Sequence, residues 1–267
     1  MHATEREDLI LSLVGETGFV AYRDLEDKVQ ASPATIRRDL ARLEREGALQ
    51  RVHGGARSVA HDNEQSGQPA SLTGTPFAKS MEINIDEKRA IGEAAAKLVN
   101  VGEGIIIDGG TTTFQMCAHF DERKLQVLTN SLHIVNQLLR FTDTQVLVPS
   151  GPIFREQNII LAPAGEASMP NFHASKLFLG AAAVSNRGIF QSDAVLVASQ
   201  RRLLDAADEV ILLVDSSKLK ASSGAIVCSL DRIDRMITDD GASPRTLDSL
   251  REAGLEKIEL VSSRSID

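Results

Sequence analysis

From about residue 81 onward the sequence repeatedly switches period. Short runs of apolar and β-branched residues alternate with longer stretches whose apolar positions recur at helical spacing. Strands are expected at Gly104–Ile107, Gln126–Leu128, Thr144–Val148, Lys176–Leu179, Glu209–Val214 and Arg235–Thr238, and helices at Asp86–Leu98, Thr112–Phe120, Ser131–Leu139, Ala198–Ala206 and Pro244–Ala253. The strands are of the buried type, so both faces of the sheet need cover. The pattern therefore specifies an α/β domain built on a mainly parallel sheet.

Residues 1–57 follow a different plan. A helical face carries Leu9, Ile10, Leu13 and Val14, and Gly15 and Gly18 end it. A short extended lead-in, Phe19–Tyr22, precedes a second helix over Arg23–Val29. Ser32-Pro33 is a strong helix start, with a capping hydroxyl followed by proline at the first helical position. That third helix runs to about Glu46 and stops at Gly47. Leu49–His53 followed by Gly54-Gly55 reads as a strand entering a tight hairpin. Residues 58–80, rich in Ser, Gly, Asn, Gln, Thr and Pro, read as a linker, and the second domain spans 81–260.

No run of 18 apolar residues occurs, so no membrane partner is expected. Met1–Asp8 is polar without a leader pattern, and the cytoplasm is the expected location. Cys117 and Cys228 lie in no Cys/His spacing, so they are read as reduced thiols; no metal or cofactor is expected.

The net charge of −8 opposes nucleic-acid binding only if it is spread evenly. Between Pro33 and Arg57 six arginines face three acidic residues, a local charge of +3. On the third helix Ile36, Leu40 and Leu43 share one face. Ala34, Arg38, Ala41 and Arg45 lie opposite, flanked by Thr35, Arg37 and Arg42. Small residues let a helix approach base edges, and guanidinium groups reach guanine or phosphate. Ser32 and Thr35 at the helix start suit phosphate, and Arg51 and His53 of the hairpin would flank the duplex. The arrangement is a helix-turn-helix for a double-stranded operator.

In the second domain, four clusters of glycine, hydroxyl or lysine follow predicted strands. They are Asp108-Gly109-Gly110-Thr111-Thr112-Thr113, Thr129-Asn130-Ser131, Ser150-Gly151, and Asp215-Ser216-Ser217-Lys218. Each alone suits a turn or a cap. The carboxyl ends of parallel strands converge on one crevice, however, and together these groups suit a phosphorylated polyol. Asp108, Asp193 and Asp215 are read as orienting hydroxyl binders rather than catalytic bases.

The stretch SPATIRRDLARLEREGALQRVHGGA (32–56) resembles the DeoR family of bacterial repressors, through TIRRDL at Thr35–Leu40 and RVHGGA at Arg51–Ala56. By that resemblance Thr35, Arg37 and Arg38 are recognition-helix contacts and His53-Gly54-Gly55 is the wing. Residues from about 77 to 260 resemble the family's sensor domain, which is similar to the ribose-5-phosphate isomerase and CoA-transferase fold. DGGTTT (108–113), TNS (129–131), Leu179-Gly180, ADEVILL (207–213) and DSSK (215–218) carry this likeness. The resemblance implies a repressor of a carbohydrate catabolic operon, controlled by a phosphorylated sugar and acting as a homodimer or homotetramer.

Three departures matter. Ala181-Ala182-Ala183 replaces an acid-containing run, Gln200 and Ala198 replace a lysine and a glutamate, and Ser150 replaces a glycine. The missing acid argues against isomerase chemistry, so no catalytic residue is expected. The set resembles the branch that responds to L-ascorbate 6-phosphate.

Overall fold

The computed structural model describes residues 3–17, 19–21, 25, 28–29, 31–45, 48–52, 55–58, 77–162, 168–219 and 224–263. The chain divides into two compact units, Met1–Gly67 and Gln68–Asp267.

In the first unit, helices Ala3–Thr17 and Pro33–Arg45 pack with a three-stranded antiparallel sheet. Its strands are β1 (Phe19–Ala21), β2 (Leu49–Val52) and β3 (Gly55–Ser58), in the order β1-β3-β2. Ile36, Leu40 and Leu43 are buried among Ile10, Val14, Leu25, Val29, Leu49 and Ala56, so the helical period read from the sequence is the core-facing stripe. Val52 pairs with Gly55, and His53 and Gly54 of the expected turn lie outside the described residues. Of the expected second helix, Leu25, Lys28 and Val29 are helical and the remainder lies outside the described residues.

The second unit is built on seven strands that pair only in parallel, ordered β15-β14-β12-β9-β4-β5-β6. These are β4 (Gly104–Ile107), β5 (Gln126–Thr129), β6 (Gln145–Leu147), β9 (Ala174–Leu179), β12 (Ala207–Leu213), β14 (Arg235–Asp239) and β15 (Ile258–Val261). Successive side chains enter opposite cores: Ile106, Leu177 and Leu212 on one face, Ile105, Phe178 and Ile211 on the other. Helices Ile85–Lys97 and Leu132–Leu138 cover the second face, and helices Ala194–Leu204 and Pro244–Glu252 the first. The chain runs outward from β4 to β6, then returns to β9 and runs outward the other way. The topological switch therefore falls between neighbouring β4 and β9.

Several elements differ from the sequence pattern. The linker assigned to 58–80 overlaps a helix, Phe77–Glu82, whose Phe77 is buried edge-on to Phe114 and stacked on His133. Its single aromatic anchor sits in too polar a stretch to show a period. Helix Ala194–Leu204 begins four residues before the expected Ala198, because Asp193 caps it by accepting from the Val195 amide at 2.9 Å. The expected Thr112–Phe120 helix is a short α-helix, Thr111–Gln115, continued by a 3₁₀ turn, Met116–His119. A hairpin of β7 (Ile153–Phe154) and β8 (Ile159–Ile160) was not anticipated. Nor was a small antiparallel sheet of β10 (Ala183–Ser185), β11 (Gly188–Gln191) and β13 (Ala225–Cys228).

Candidate functional site

Helix Pro33–Arg45 presents one polar face. Ser32 caps it: its Oγ accepts from the Thr35 amide at 3.3 Å and lies 2.9 Å from Thr35 Oγ1. Ser32, Arg37, Arg38 and Arg45 are exposed and Thr35 is half-buried. Arg42 is engaged within the unit by an ion pair with buried Glu7, so it is positioned as a brace more than as a free contact. Asp39 is buried on the same helix and accepts from Arg6 at 2.9 and 3.4 Å. The sequence pattern did not single out this second brace. A carboxylate beside two arginines on a basic helix resembles a solvated ion pair until its place in the core stripe is considered. The side chain of Arg51 and all of His53 lie outside what is described.

The sensor-unit candidates fall in two places along the carboxyl edge of the sheet. Asp108 follows β4 and is buried at the switch point. Its Oδ2 accepts from Gln200 Nε2 at 2.6 Å and from the Gly180 amide at 3.3 Å. Gln200 Nε2 also donates to the Gly180 carbonyl at 3.1 Å; two acceptors on one amide nitrogen settle the orientation of this side chain. Burial pushes the Asp108 carboxyl above its usual range, and the hydrogen bonds only partly offset this. A small cleft is lined here by Asp108, Gly109, Asn130, Gln157, Gln191, Ser199 and Gln200, with Ile159 and Leu196. Asn130 Nδ2 lies 3.3 Å from Ser199 Oγ. The side-chain amide oxygens of Asn130 (Oδ1) and Gln200 (Oε1) are buried without a donor.

Several predicted ligand residues turn inward instead. Thr113 is fully buried, and its Oγ1 donates within the turn toward the Asp108 and Gly110 carbonyls (2.7 and 2.9 Å) and accepts from the Gly110 amide at 3.0 Å. Thr129 Oγ1 accepts from the Ser131 amide at 3.2 Å, and Ser131 Oγ from the Ile134 amide at 3.4 Å. Thr112 is buried, Asp193 is a helix cap, and Gly151 is exposed; none of the three lines the cleft. Gly110 and Gly180 face each other beside Asp108, where a side chain on Gly110 would lie 3.9 Å from the Gly180 Cα.

The second place is at the end of β12. Asp215 Oδ1 accepts from Asn84 Nδ2 at 2.8 Å, from the Ser217 amide at 3.2 Å and from the Ser217 hydroxyl; Oδ2 is buried without a donor. Lys218 is half-buried beside it, in the 3₁₀ turn Ser216–Lys218. Lys88, which the pattern did not select, is 1% exposed and donates to the Ser80 carbonyl. Its signal was in the sequence: it occupies the core stripe of its helix with Ile91, Gly92 and Ala95. Gln157, Gln191 and Ser199 were also missed, because they lie on the hairpin, the small sheet and a helix interior, away from the main strand ends.

The DeoR C-terminal sensor domain matches residues 83–240, and the DeoR-like helix-turn-helix domain matches residues 6–62. The chain belongs to the DeoR family. The HTH-type transcriptional regulator UlaR of Shigella dysenteriae serotype 1 is 29% identical over 256 residues, covering 96% of this chain and 98% of that protein. UlaR of Escherichia coli strain SMS-3-5 aligns with the same identity and coverage. Among solved structures, a ribose 5-phosphate isomerase from Methanocaldococcus jannaschii aligns with 17% identity at a TM-score of 0.38, covering 51% of this chain and 54% of that one. A probable sor operon regulator from Shigella flexneri aligns with 12% identity at 0.41, covering 63% and 89%. This DeoR-family chain is a regulator with a helix-turn-helix, not an enzyme. No helix among the described residues is long and apolar enough to cross a membrane.

Proposed function

We infer that the protein represses a carbohydrate catabolic operon from the cytoplasm, binding its operator as a homodimer or homotetramer and releasing it in response to a phosphorylated sugar or sugar acid. A helix-turn-helix reads one short half-site, so two copies are needed for a full operator. Ser32, Thr35, Arg37 and Arg38 make the contacts, with the hairpin carrying Arg51 and His53 beside the backbone. The DNA-binding part is 1–57. The connecting segment starts at 58, and the effector-binding part extends to 260.

The observation that carries the effector reading is the acceptor-rich cleft. Asp108 and the two unpaired side-chain amide oxygens of Asn130 and Gln200 line one small space. A buried acceptor without a donor is costly, so the cleft is matched to a molecule that brings hydroxyl donors. A polyol or sugar does so; an apolar ligand would leave both carbonyls unpaired. The likeness to UlaR over nearly the whole chain makes L-ascorbate 6-phosphate the first compound to try.

Fluorescence anisotropy of a labelled operator fragment tests this. Bound DNA should be released by L-ascorbate 6-phosphate or another sugar phosphate, and Asn130→Leu should move the half-effect concentration upward without weakening DNA binding. Insensitivity of the complex to every sugar phosphate tried would defeat the effector reading.

A further inference from the structure

We propose that Phe77 and His133 form an aromatic clasp that passes occupancy of the cleft to the end of the connecting segment, with Asn158 linking cleft and clasp. The proposal rests on the reading that the effector binds in that cleft. It concerns how binding is communicated, and it adds no group to the cleft itself.

In sequence, Phe77 is the first described residue after Ser58, and it opens helix Phe77–Glu82. It is 9% exposed. Its ring lies 3.9 Å from the His133 ring at an interplanar angle of 9°, and the Phe114 ring meets it edge-on at 6.1 Å. A helix of six residues cannot sustain itself in water, so this one holds its place by what it packs on. Its later residues make lighter contacts: Ser80 Oγ lies 3.3 Å from Thr111 Oγ1, and Gln115 Nε2 lies 3.7 Å from Met81 Sδ. Phe77 is therefore the main anchor of the helix, and a shift of His133 is felt there first.

His133 is in turn held from the cleft side. Asn158 Nδ2 lies 3.0 Å from His133 Nε2; an amide nitrogen only donates, so the ring accepts there and is neutral. Burial lowers the pKa of His133, which favours the same neutral form. Asn158 sits at a φ of 52°, between Gln157 and Ile159, which both line the cleft. This stretch is strapped to segment 130–133. The Leu132 amide donates to the Asn158 carbonyl at 2.9 Å, the Ile160 amide to the Asn130 backbone carbonyl at 2.7 Å, and Ile159 bridges Ser131. Segment 130–133 carries Asn130, whose side chain lines the cleft, at one end and His133 at the other. A molecule that draws on Asn130 or Gln157 thus acts on the Asn158–His133 bond through directly bonded neighbours. Packing alone would be served by any ring against Phe77. A histidine adds an acceptor, and that acceptor points to the hairpin that walls the cleft.

The test is operator anisotropy on the full chain with L-ascorbate 6-phosphate as the probe, while calorimetric titration of the same compound reports its binding. His133→Phe keeps a ring against Phe77 and removes only the bond to Asn158. Asn158→Gly removes the same bond from the other side and tolerates the left-handed backbone. Both variants should bind the probe as the wild type does, yet lose ~5-fold or more of its effect on operator affinity, the low end of ordinary coupling between sites. The double variant should lose no more than either single one, because both act through one contact. Lys79→Ala, exposed on the Phe77 helix, should respond as the wild type does. Phe77→Ala opens the clasp without any probe and should imitate it, lowering operator affinity ~5-fold or more. A full wild-type response in both His133→Phe and Asn158→Gly, or wild-type operator affinity in Phe77→Ala, would overturn the clasp. Because His133→Phe retains the ring pair, it decides the matter even if Phe77→Ala unfolds the sensor unit. A probe that neither binds nor acts on the wild type, beside a Phe77→Ala variant with weakened operator binding, would sink the effector reading for this compound while supporting the clasp.

Discussion

Gly92→Ala is the sharpest test of how the sensor unit is assembled, because two physical effects of opposite sign meet there. Gly92 lies inside helix Ile85–Lys97, where alanine is favoured over glycine by about 1 kcal/mol on propensity alone. A Cβ at this position, however, would lie 2.6 Å from Gln115 Cβ, 2.8 Å from Gln115 C and 2.9 Å from Met116 N. Two of these atoms are backbone, so no rotamer change relieves the contact. The helix must move away from the Thr111–Gln115 segment by several tenths of an ångström. Overpacking of this kind costs about 1–3 kcal/mol, and rigid neighbours put it at the upper end. The net is a destabilisation of about 2 kcal/mol. In a unit of 200 residues that lowers the melting temperature by about 4–8 °C. Differential scanning calorimetry of the full chain would read it. An unchanged or raised melting temperature would show that the two helices are not in the close contact described, and the reasoning would fail.

Arg38→Ala should weaken operator affinity by about 1–3 kcal/mol and relax sequence preference. Arg42→Ala should instead lower the stability of the first unit by leaving Glu7 buried and unpaired; anisotropy titrations alongside thermal melts separate the two. The raised pKa of Asp108 means that the unfolded chain loses this proton first as pH rises. Between the unfolded and folded pKa values the native state holds the extra proton, so unfolding free energy falls with rising pH there. Asp108→Asn should flatten that part of the wild-type profile in urea titrations, and identical slopes would count against a buried, burial-shifted carboxyl. The thiols of Cys117 and Cys228 are pushed up to about 12 and about 11 by burial, so alkylation of the native protein at pH 8 should be far slower than that of the unfolded chain.

Much of the fold was legible because it depends on periodicity. Ile36, Leu40 and Leu43 recur at helical spacing, and the apolar runs at Gly104–Ile107 and Glu209–Val214 are too uniformly buried for anything but a covered parallel sheet. The elements that escaped carry little periodic signal. The β7–β8 hairpin has two-residue strands, and β15 mixes Glu259 with three apolar residues at the sheet edge, where one flank has no partner strand among the described residues. Such elements owe their conformation to neighbours distant in sequence. Ile159, for example, is held at the cleft by bonds to a distant segment: the Ile160 amide donates to the Asn130 backbone carbonyl at 2.7 Å and the Leu132 amide to the Asn158 carbonyl at 2.9 Å.

The candidate site was legible in a different and weaker sense. Sequence places a polar residue at a strand end; it does not say which way the side chain turns. A short hydroxyl there has two uses: it can face a ligand, or it can satisfy the orphan amides of the turn it sits in. Thr113, Thr129 and Ser131 take the second course, each within a few residues of its partner. Several longer groups reach farther. Asp108, Gln200 and Lys88 find partners 92, 20 or 8 residues away, and Asn130 and Gln200 leave a carbonyl unmatched. The unfilled hydrogen-bonding capacity of the sensor unit therefore gathers on its longer side chains. A ligand that completed the cleft's acceptors would touch the ends of β4 and β5 and the Ala194–Leu204 helix at once. Its leverage on DNA binding is limited to the difference in affinity it has for the arrangements those elements adopt.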